Sequence, residues 1–270
     1  MLYFVATPIG NLKDFSFRAV ETLGAVDEIG CEDTRHSLTL LSVYGIKKPL
    51  FSYHKYNEKE ECEKIIGKLK DGKNIAIITD AGMPVVSDPG NVLVKSLIEN
   101  GLEFTVIPGA NAALSALVLS GFNADRFCFL GFLSEKKSER DDLLEEYKDL
   151  TATLIFYSAP HDIKKDVAAL YGVFGNRKAA AVKEITKIHE KAEFFDLETG
   201  FTGEPKGEYV LIVEGAKRGA KFENLSEEEH IKMYISGGID KKDAIKRVAK
   251  ERGVPKSSLY KYTINLKEDK

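Results

Sequence analysis

The sequence predicts an α/β protein made of two α/β domains with a cleft between them, followed by a small C-terminal helical unit. Three observations predict it. Short β-branched runs alternate with amphipathic stretches through the first hundred residues, a second set of such runs follows, and past residue 217 the runs stop and a basic helical pattern replaces them. At 270 residues the chain exceeds a usual single domain. Its 43% hydrophobic and 30% charged residues place it among globular rather than disordered chains.

In a first domain, placed at residues 1–112, strands are expected at 2–7, 28–31, 73–79 and 103–107. Helices at 16–24, 37–44, 58–69 and 92–100 lie between them, each with apolar residues near i, i+3 and i+4. This alternation predicts a parallel sheet covered on both faces. A helix at 112–120 leads into a second domain, placed at 113–216, with strands at 127–132, 153–157, 178–182 and 209–213 and helices at 139–148 and 161–171. The third unit, 217–270, starts with a linker at Lys217-Arg218-Gly219. Ser226 with Glu229 three residues on reads as a capping box, Asp240 caps a helix over 241–251, and Gly253 closes it before a short helix through Leu259. That spacing resembles a helix-turn-helix.

The net charge of −3 carries no sign of a nucleic-acid partner, but the charge is unevenly spread. Between residues 230 and 262 nine bases (Lys232, Lys241, Lys242, Lys246, Arg247, Lys250, Arg252, Lys256, Lys261) face three acids (Asp240, Asp243, Glu251). Such a tail suits salt-sensitive contact with phosphates. No apolar run approaches the roughly 20 residues of a membrane helix, and the Met1-Leu2-Tyr3-Phe4-Val5 start lacks a basic leader, so a cytoplasmic protein with no membrane contact is expected. Cys31, Cys62 and Cys128 are odd in number and far apart, which reads as free thiols rather than disulfides or a metal site.

Ligands of open parallel sheets bind beyond the carboxyl ends of the strands. Three loops there are rich in Gly, Pro and Asp: Ala6-Thr7-Pro8-Ile9-Gly10-Asn11, the stretch from Asp80 to Gly90, and Pro108-Gly109-Ala110-Asn111-Ala112. None contains GxGxxG or GxxxxGK[ST], so no nucleotide fingerprint is present.

Together with Glu32-Asp33-Thr34-Arg35, Ser52-Tyr53-His54, Gly131-Phe132-Leu133 and Lys206-Gly207-Glu208, these loops resemble, in order and over nearly the whole chain, the bacterial family that methylates a cytidine ribose in small-subunit (16S) ribosomal RNA. The resemblance implies two domains of the tetrapyrrole-methylase type, S-adenosyl-L-methionine as donor, a homodimer, a C-terminal helix-turn-helix that holds RNA, and as partner the ribosomal RNA or the assembled small subunit. Carried over by position, Pro8, Asp80, Ala81, Gly82, Met83, Val86, Ser87, Asp88, Asn111 and Ala112 would line the donor site, and Tyr157 with its following loop would complete it. The chain departs from the family at Tyr157-Ser158-Ala159-Pro160-His161-Asp162, where a Glu before the Pro-His pair and an Arg after it are expected.

Methyl transfer from a sulfonium needs in-line positioning and no metal, while a ribose hydroxyl gains from a base or a nearby cation. Glu32 and Arg35 lead the acceptor-side candidates, although Asp33 or Thr34 also reads as a cap for the helix near Ser37. Lys187 follows, as a lysine whose pKa burial would lower, and His54 ranks third. Two alternatives remain open: a small-molecule, tetrapyrrole-like methyltransferase of the same fold, and a nonenzymatic nucleic-acid-binding protein.

Overall fold

The computed structural model describes residues 1–217, 222 and 225–263. The first sheet uses β1 (Leu2–Val5), β2 (Glu28–Cys31), β3 (Leu50–Ser52), β4 (Ile75–Ile77) and β5 (Phe104–Ile107) in the order β3-β2-β4-β1-β5. Every pairing in it is parallel, with Leu2 opposite both Ile75 and Phe104. Helices α1 (Phe17–Ala25), α2 (Thr34–Val43), α3 (Glu58–Lys70) and α4 (Asn91–Glu99) make the connections. Two separate apolar clusters, one around Leu23 and Ile29 and one around Phe4 and Leu93, cover the two faces, as a buried parallel sheet requires.

The second sheet is mixed. Helix α5 (Ala112–Ser120) precedes β6 (Phe127–Phe132), α6 (Lys137–Tyr147), β7 (Thr153–Ser158), α7 (Ile163–Phe174), β8 (Lys178–Lys183), β9 (Lys191–Asp196) and β10 (Tyr209–Val213). The order is β6-β7-β10-β8-β9, in which only β6 and β7 run parallel. Ala113, Ala116 and Leu117 of α5 pack on Ile155, Val182 and Ile212, and α7 covers the opposite face through Val167 and Leu170.

The C-terminal unit holds α8 (Glu227–Ser236), α9 (Lys241–Arg252) and α10 (Lys256–Leu259) around Ile231, Ile245, Val248 and Leu259. Ser226 and Glu229 form the expected capping box, Asp240 accepts from the Lys242 and Asp243 amides, and Gly253 ends α9 at φ 66°. The expected linker lies, beyond Lys217, outside the described residues. Arg252, counted above among the basic residues of the tail, serves the fold: it donates to His230 Nδ1 at 3.0 Å and to the carbonyls of Phe222, Leu225 and Ser226.

Three differences from the expected elements have local causes. Helix α2 begins at Thr34, three residues early, because Asp33 accepts from the amides of Arg35 and His36. Strand β3 was not expected; at three residues it is too short to show an alternation in the sequence. Strand β9, Lys-Ala-Glu-Phe-Phe-Asp, was not expected at all; it lies at the sheet edge, where a half-polar sequence is tolerated.

Candidate active site

Strands β4, β1 and β5 are neighbours, so their carboxyl-end loops meet. The Thr7 amide donates to Gly82 O at 2.9 Å and the Gly82 amide to Thr7 O at 3.2 Å, tying the first two loops together. A Cβ at Gly109 would fall 2.9 Å from that of Ala6, so glycine lets the third loop close on the first.

The β4–α4 loop is unusually constrained. Val85 (φ 76°) and Ser87 (φ 65°) occupy the left-handed region that costs a side-chain-bearing residue about 1–2 kcal/mol. Such a conformation persists only where its surroundings enforce it, and here Glu58 does so from α3. Its carboxylate accepts from the amides of Gly90 (2.7 Å) and Val92 (3.1 Å), and the buried Tyr53 hydroxyl donates to it at 3.3 Å. Burial and the Glu58 charge push the Tyr53 phenol well above its ordinary pKa.

Between this loop and the second sheet lies a cavity of about 440 Å³. The first sheet's loops contribute Ile9, Ala81, Gly82, Met83, Val86, Ser87, Asp88, Asn111 and Ala112; the second unit contributes Phe132, Tyr157, Ser158, Ala159, Pro160, Ile185, Glu208, Tyr209 and Val210. Tyr157 stands edge-on to Phe129 and tilted against Phe132, with ring centroids 4.9 and 5.4 Å apart. Burial raises the Tyr157 pKa, and the charge of Asp88 adds to the effect. Asp88 itself is pushed up to about 6 by desolvation, partly opposed by a hydrogen bond with the Thr79 side chain and reinforced by Glu32 and Asp80. Behind the wall, Ser158 Oγ donates to the buried Asp166 carboxylate at 2.6 Å.

Nine of the eleven residues assigned to the donor by resemblance therefore line one cavity: Ala81, Gly82, Met83, Val86, Ser87, Asp88, Asn111, Ala112 and Tyr157. Pro8 and Asp80 do not reach its wall; Pro8 is buried behind it, and Asp80 Oδ1 accepts from the Asp33 amide at 3.4 Å. Sequence reasoning missed Ile9, Phe132, Ile185, Glu208, Tyr209 and Val210 as wall residues. Ile9, Phe132 and Glu208 fell inside quoted motifs, a signal that pointed to them without giving a role.

The acceptor-side candidates lie apart from this wall. Glu32 is half-buried at the end of β2, close enough for its charge to act on Asp88. The Arg35 side chain is 91% exposed and pairs with Asp33 at 3.5 Å. Lys187 is held by Glu208 (2.7 Å) and Glu184 (3.1 Å) over Gly10, whose missing Cβ makes room for it. Burial pulls its pKa down, but the hydrogen bonds and charges of Glu208 and Glu184 together outweigh burial and leave it raised. This is the reverse of the direction expected for a base and keeps the ammonium charged. His54 sits between Ser52 and α3 with Nδ1 buried and without a partner.

Among the described residues no three His, Cys, Asp or Glu are grouped to hold a metal, and no helix is long and apolar enough to cross a membrane.

The profile of the Tetrapyrrole (Corrin/Porphyrin) Methylases matches residues 1–199. "Ribosomal RNA small subunit methyltransferase I" of Bacillus subtilis (strain 168) is 43% identical over 96% of this chain and 92% of its own length, and that of Escherichia coli O157:H7 is 39% identical over 97% and 94%. The chain belongs to the ribosomal RNA small subunit methyltransferase I family. As a member of that family it is a methyltransferase, which removes the nonenzymatic alternative. Solved structures extend the fold further: diphthine synthase superposes with a TM-score of 0.63 at 15% identity, covering 80% of this chain and 90% of its own. Uroporphyrin-III-C-methyltransferase from Thermus thermophilus gives 0.57 at 18%, covering 79% and 93%. These neighbours share the fold of this chain.

Proposed function

We propose that this chain transfers the methyl group of S-adenosylmethionine to the 2′-hydroxyl of a cytidine in small-subunit ribosomal RNA. The observation that carries this reading is the relation, at 39–43% identity over nearly the full length, to proteins named for methylating small-subunit ribosomal RNA. A cavity of about 440 Å³ falls in the range of small-molecule sites, and its mostly apolar wall with a few polar groups suits a nucleoside carrying an amino-acid tail. When bound, the donor supplies an electrophilic methyl group on a cationic sulfur.

The chain's own residues would divide the work. Gly82 and Ala81 admit close approach of the ligand to the backbone, and Tyr157 with Phe132 offers an aromatic surface for a flat base. Ala112 opens α5 at the cavity edge, where first-turn amides favour a carboxylate. On the acceptor side, the exposed Arg35 guanidinium suits a phosphate, and Glu32 follows β2 just before the same helix. Lys187, kept charged by its two carboxylates, acts as a fixed cation between the units rather than as a base. The basic residues of α9 and α10 that the fold does not use would hold RNA through its phosphates. The homodimer implied by the family belongs to the same reading, and sedimentation equilibrium decides it.

The test supplies labelled S-adenosylmethionine to the purified protein with either small ribosomal subunits or free ribosomal RNA from cells lacking the modification, followed by digestion to nucleosides. Label in 2′-O-methylcytidine is expected. Donor binding with no transfer to either RNA form would favour a small-molecule acceptor instead.

A further inference from the structure

We propose that Asp88 is the proton acceptor for the ribose hydroxyl. The inference rests on the reading of the cavity as the methyl-transfer site and assigns a role within it that differs from donor contact.

Elimination inside the cavity leads to it. Among the described residues no Lys, Arg or His lines the wall, and the carboxylates that do are Asp88 and Glu208. Glu208 is committed to Lys187 at 2.7 Å and is 78% exposed, turned toward solvent at the rim. Of the two tyrosines, Tyr209 donates its hydroxyl proton to the Glu204 carbonyl at 2.6 Å, and Tyr157 is held in its neutral form by burial. Asp88 is half-buried, and the charged groups that act on it, Glu32 and Asp80, are both acidic.

Its setting is also built rather than incidental. Asp88 directly follows the left-handed Ser87, on the loop whose far end Glu58 clamps through Gly90 and Val92. A Cβ at Gly131 would meet Ser87 Oγ at 3.3 Å, so glycine at the bulge of β6 lets this loop lie close to the second unit. The strained loop, clamped at its far end by Glu58, fixes a carboxylate at the cavity wall.

The charged groups around it point the same way. Glu32 after β2 and Asp80 after β4 both raise its proton affinity, Thr79 lowers it by hydrogen bonding, and the neutral Tyr157 faces it from β7. A carboxylate tuned to about 6 is ionised at neutral pH yet more basic than an ordinary one, as a proton acceptor working near pH 7 should be. In the step, the ribose oxygen bonds to the methyl carbon as the carbon–sulfur bond breaks. The bond pair stays on sulfur as a neutral thioether, the hydroxyl proton moves to Asp88, and the resulting acid loses it to solvent.

The experiment measures single-turnover methyl transfer to small subunits or RNA between pH 5 and 9, and labelled-donor affinity by equilibrium dialysis, for the wild type, Asp88→Asn, Asp88→Glu and Glu32→Gln. Expected are a wild-type rate that rises through a midpoint near pH 6 to a plateau, and a loss of at least about a hundredfold in Asp88→Asn with donor affinity changed less than threefold. Asp88→Glu should recover part of the rate, and Glu32→Gln should keep the limb but move it to lower pH, since a repelling charge is gone. Donor affinity falling in step with rate in Asp88→Asn overturns the proposal in favour of donor contact. So does a limb that vanishes in Glu32→Gln, or a wild-type profile that is flat around pH 6, which needs no variant to fold. A wild type that binds donor but transfers to no RNA defeats the functional reading as well, whereas wild-type transfer with an unimpaired Asp88→Asn defeats only this one.

Discussion

The two walls of the cavity are made in different ways. The first is backbone: Gly82 at φ 84°, Val85 and Ser87 in the left-handed region, and loops joined by main-chain hydrogen bonds between Thr7 and Gly82. The second is side chain: Tyr157 and Ser158 at the end of β7, Tyr209 and Val210 at the start of β10, and Phe132 just past the β6 bulge, all standing on a mixed sheet. A backbone wall can approach a ligand closely but tolerates no added atoms, whereas a side-chain wall can be altered by substitution without moving the chain.

The largest expected effect breaks the first wall. In Gly82→Val a β-branched residue is forced to φ 84°, and its Cβ lies 3.4 Å from Ile9 Cγ2. The left-handed conformation alone costs about 2 kcal/mol, and side-chain atoms crowd the cavity. Thermal unfolding should shift down accordingly, and donor affinity by calorimetry should fall more than about tenfold. Near wild-type affinity would mean that this backbone does not touch the donor.

On the second wall the expected cost is to stability. Ser158→Ala removes the 2.6 Å hydrogen bond to Asp166, buried at 6% exposure, and leaves that carboxylate poorly satisfied, at about 1–3 kcal/mol in urea unfolding. Burial already raises the Asp166 pKa, and Ser158 opposes the rise. Without Ser158 the ionised form loses its donor, so the destabilisation should be greater at pH 8 than at pH 4.

Asp88 links the walls and gives a smaller effect of opposite sign. Its pKa of about 6 in the folded chain lies above the ordinary 3.8. The folded protein therefore binds this proton more readily than the unfolded one, and the associated stability is present below about pH 4 and lost as pH rises through 6. Asp88→Asn, which never ionises, should be more stable than wild type by about 1 kcal/mol at pH 8, allowing for solvent screening, and should show no advantage at pH 4. Melting curves at the two pH values check the sign.

The contrast between the walls also explains what the sequence disclosed. Parallel strands buried on both faces read as short apolar runs, and the loops after β1, β4 and β5 announced themselves through Gly, Pro and Asp, so the first wall was visible residue by residue. The second wall depends on register. Tyr209 lies opposite both Ser158 and Lys183, a pairing that brings residues from three distant stretches to one edge and has no local sequence signature. Lys187 illustrates the same limit: burial was expected to lower its pKa, while the acids that raise it include Glu208, twenty-one residues away. Strand β9 was missed because an edge strand with Lys, Glu and Asp among its six residues lacks a clean alternation.

The smallest effect on the fold concerns neither wall. Arg35 is 91% exposed at the start of α2 and pairs with Asp33 at 3.5 Å, while Asp33 is already engaged as the helix cap. An exposed pair of this kind contributes at most about 1 kcal/mol and often nothing measurable. Arg35→Ala should therefore leave unfolding within about 0.5 kcal/mol of wild type and donor affinity unchanged. If the guanidinium meets a phosphate of the RNA acceptor, binding to RNA should nonetheless weaken, and the slope of log affinity against log salt should lose about one unit. An unchanged salt slope would place the acceptor away from the β2–α2 corner and leave the C-terminal bases to carry the phosphate contacts alone.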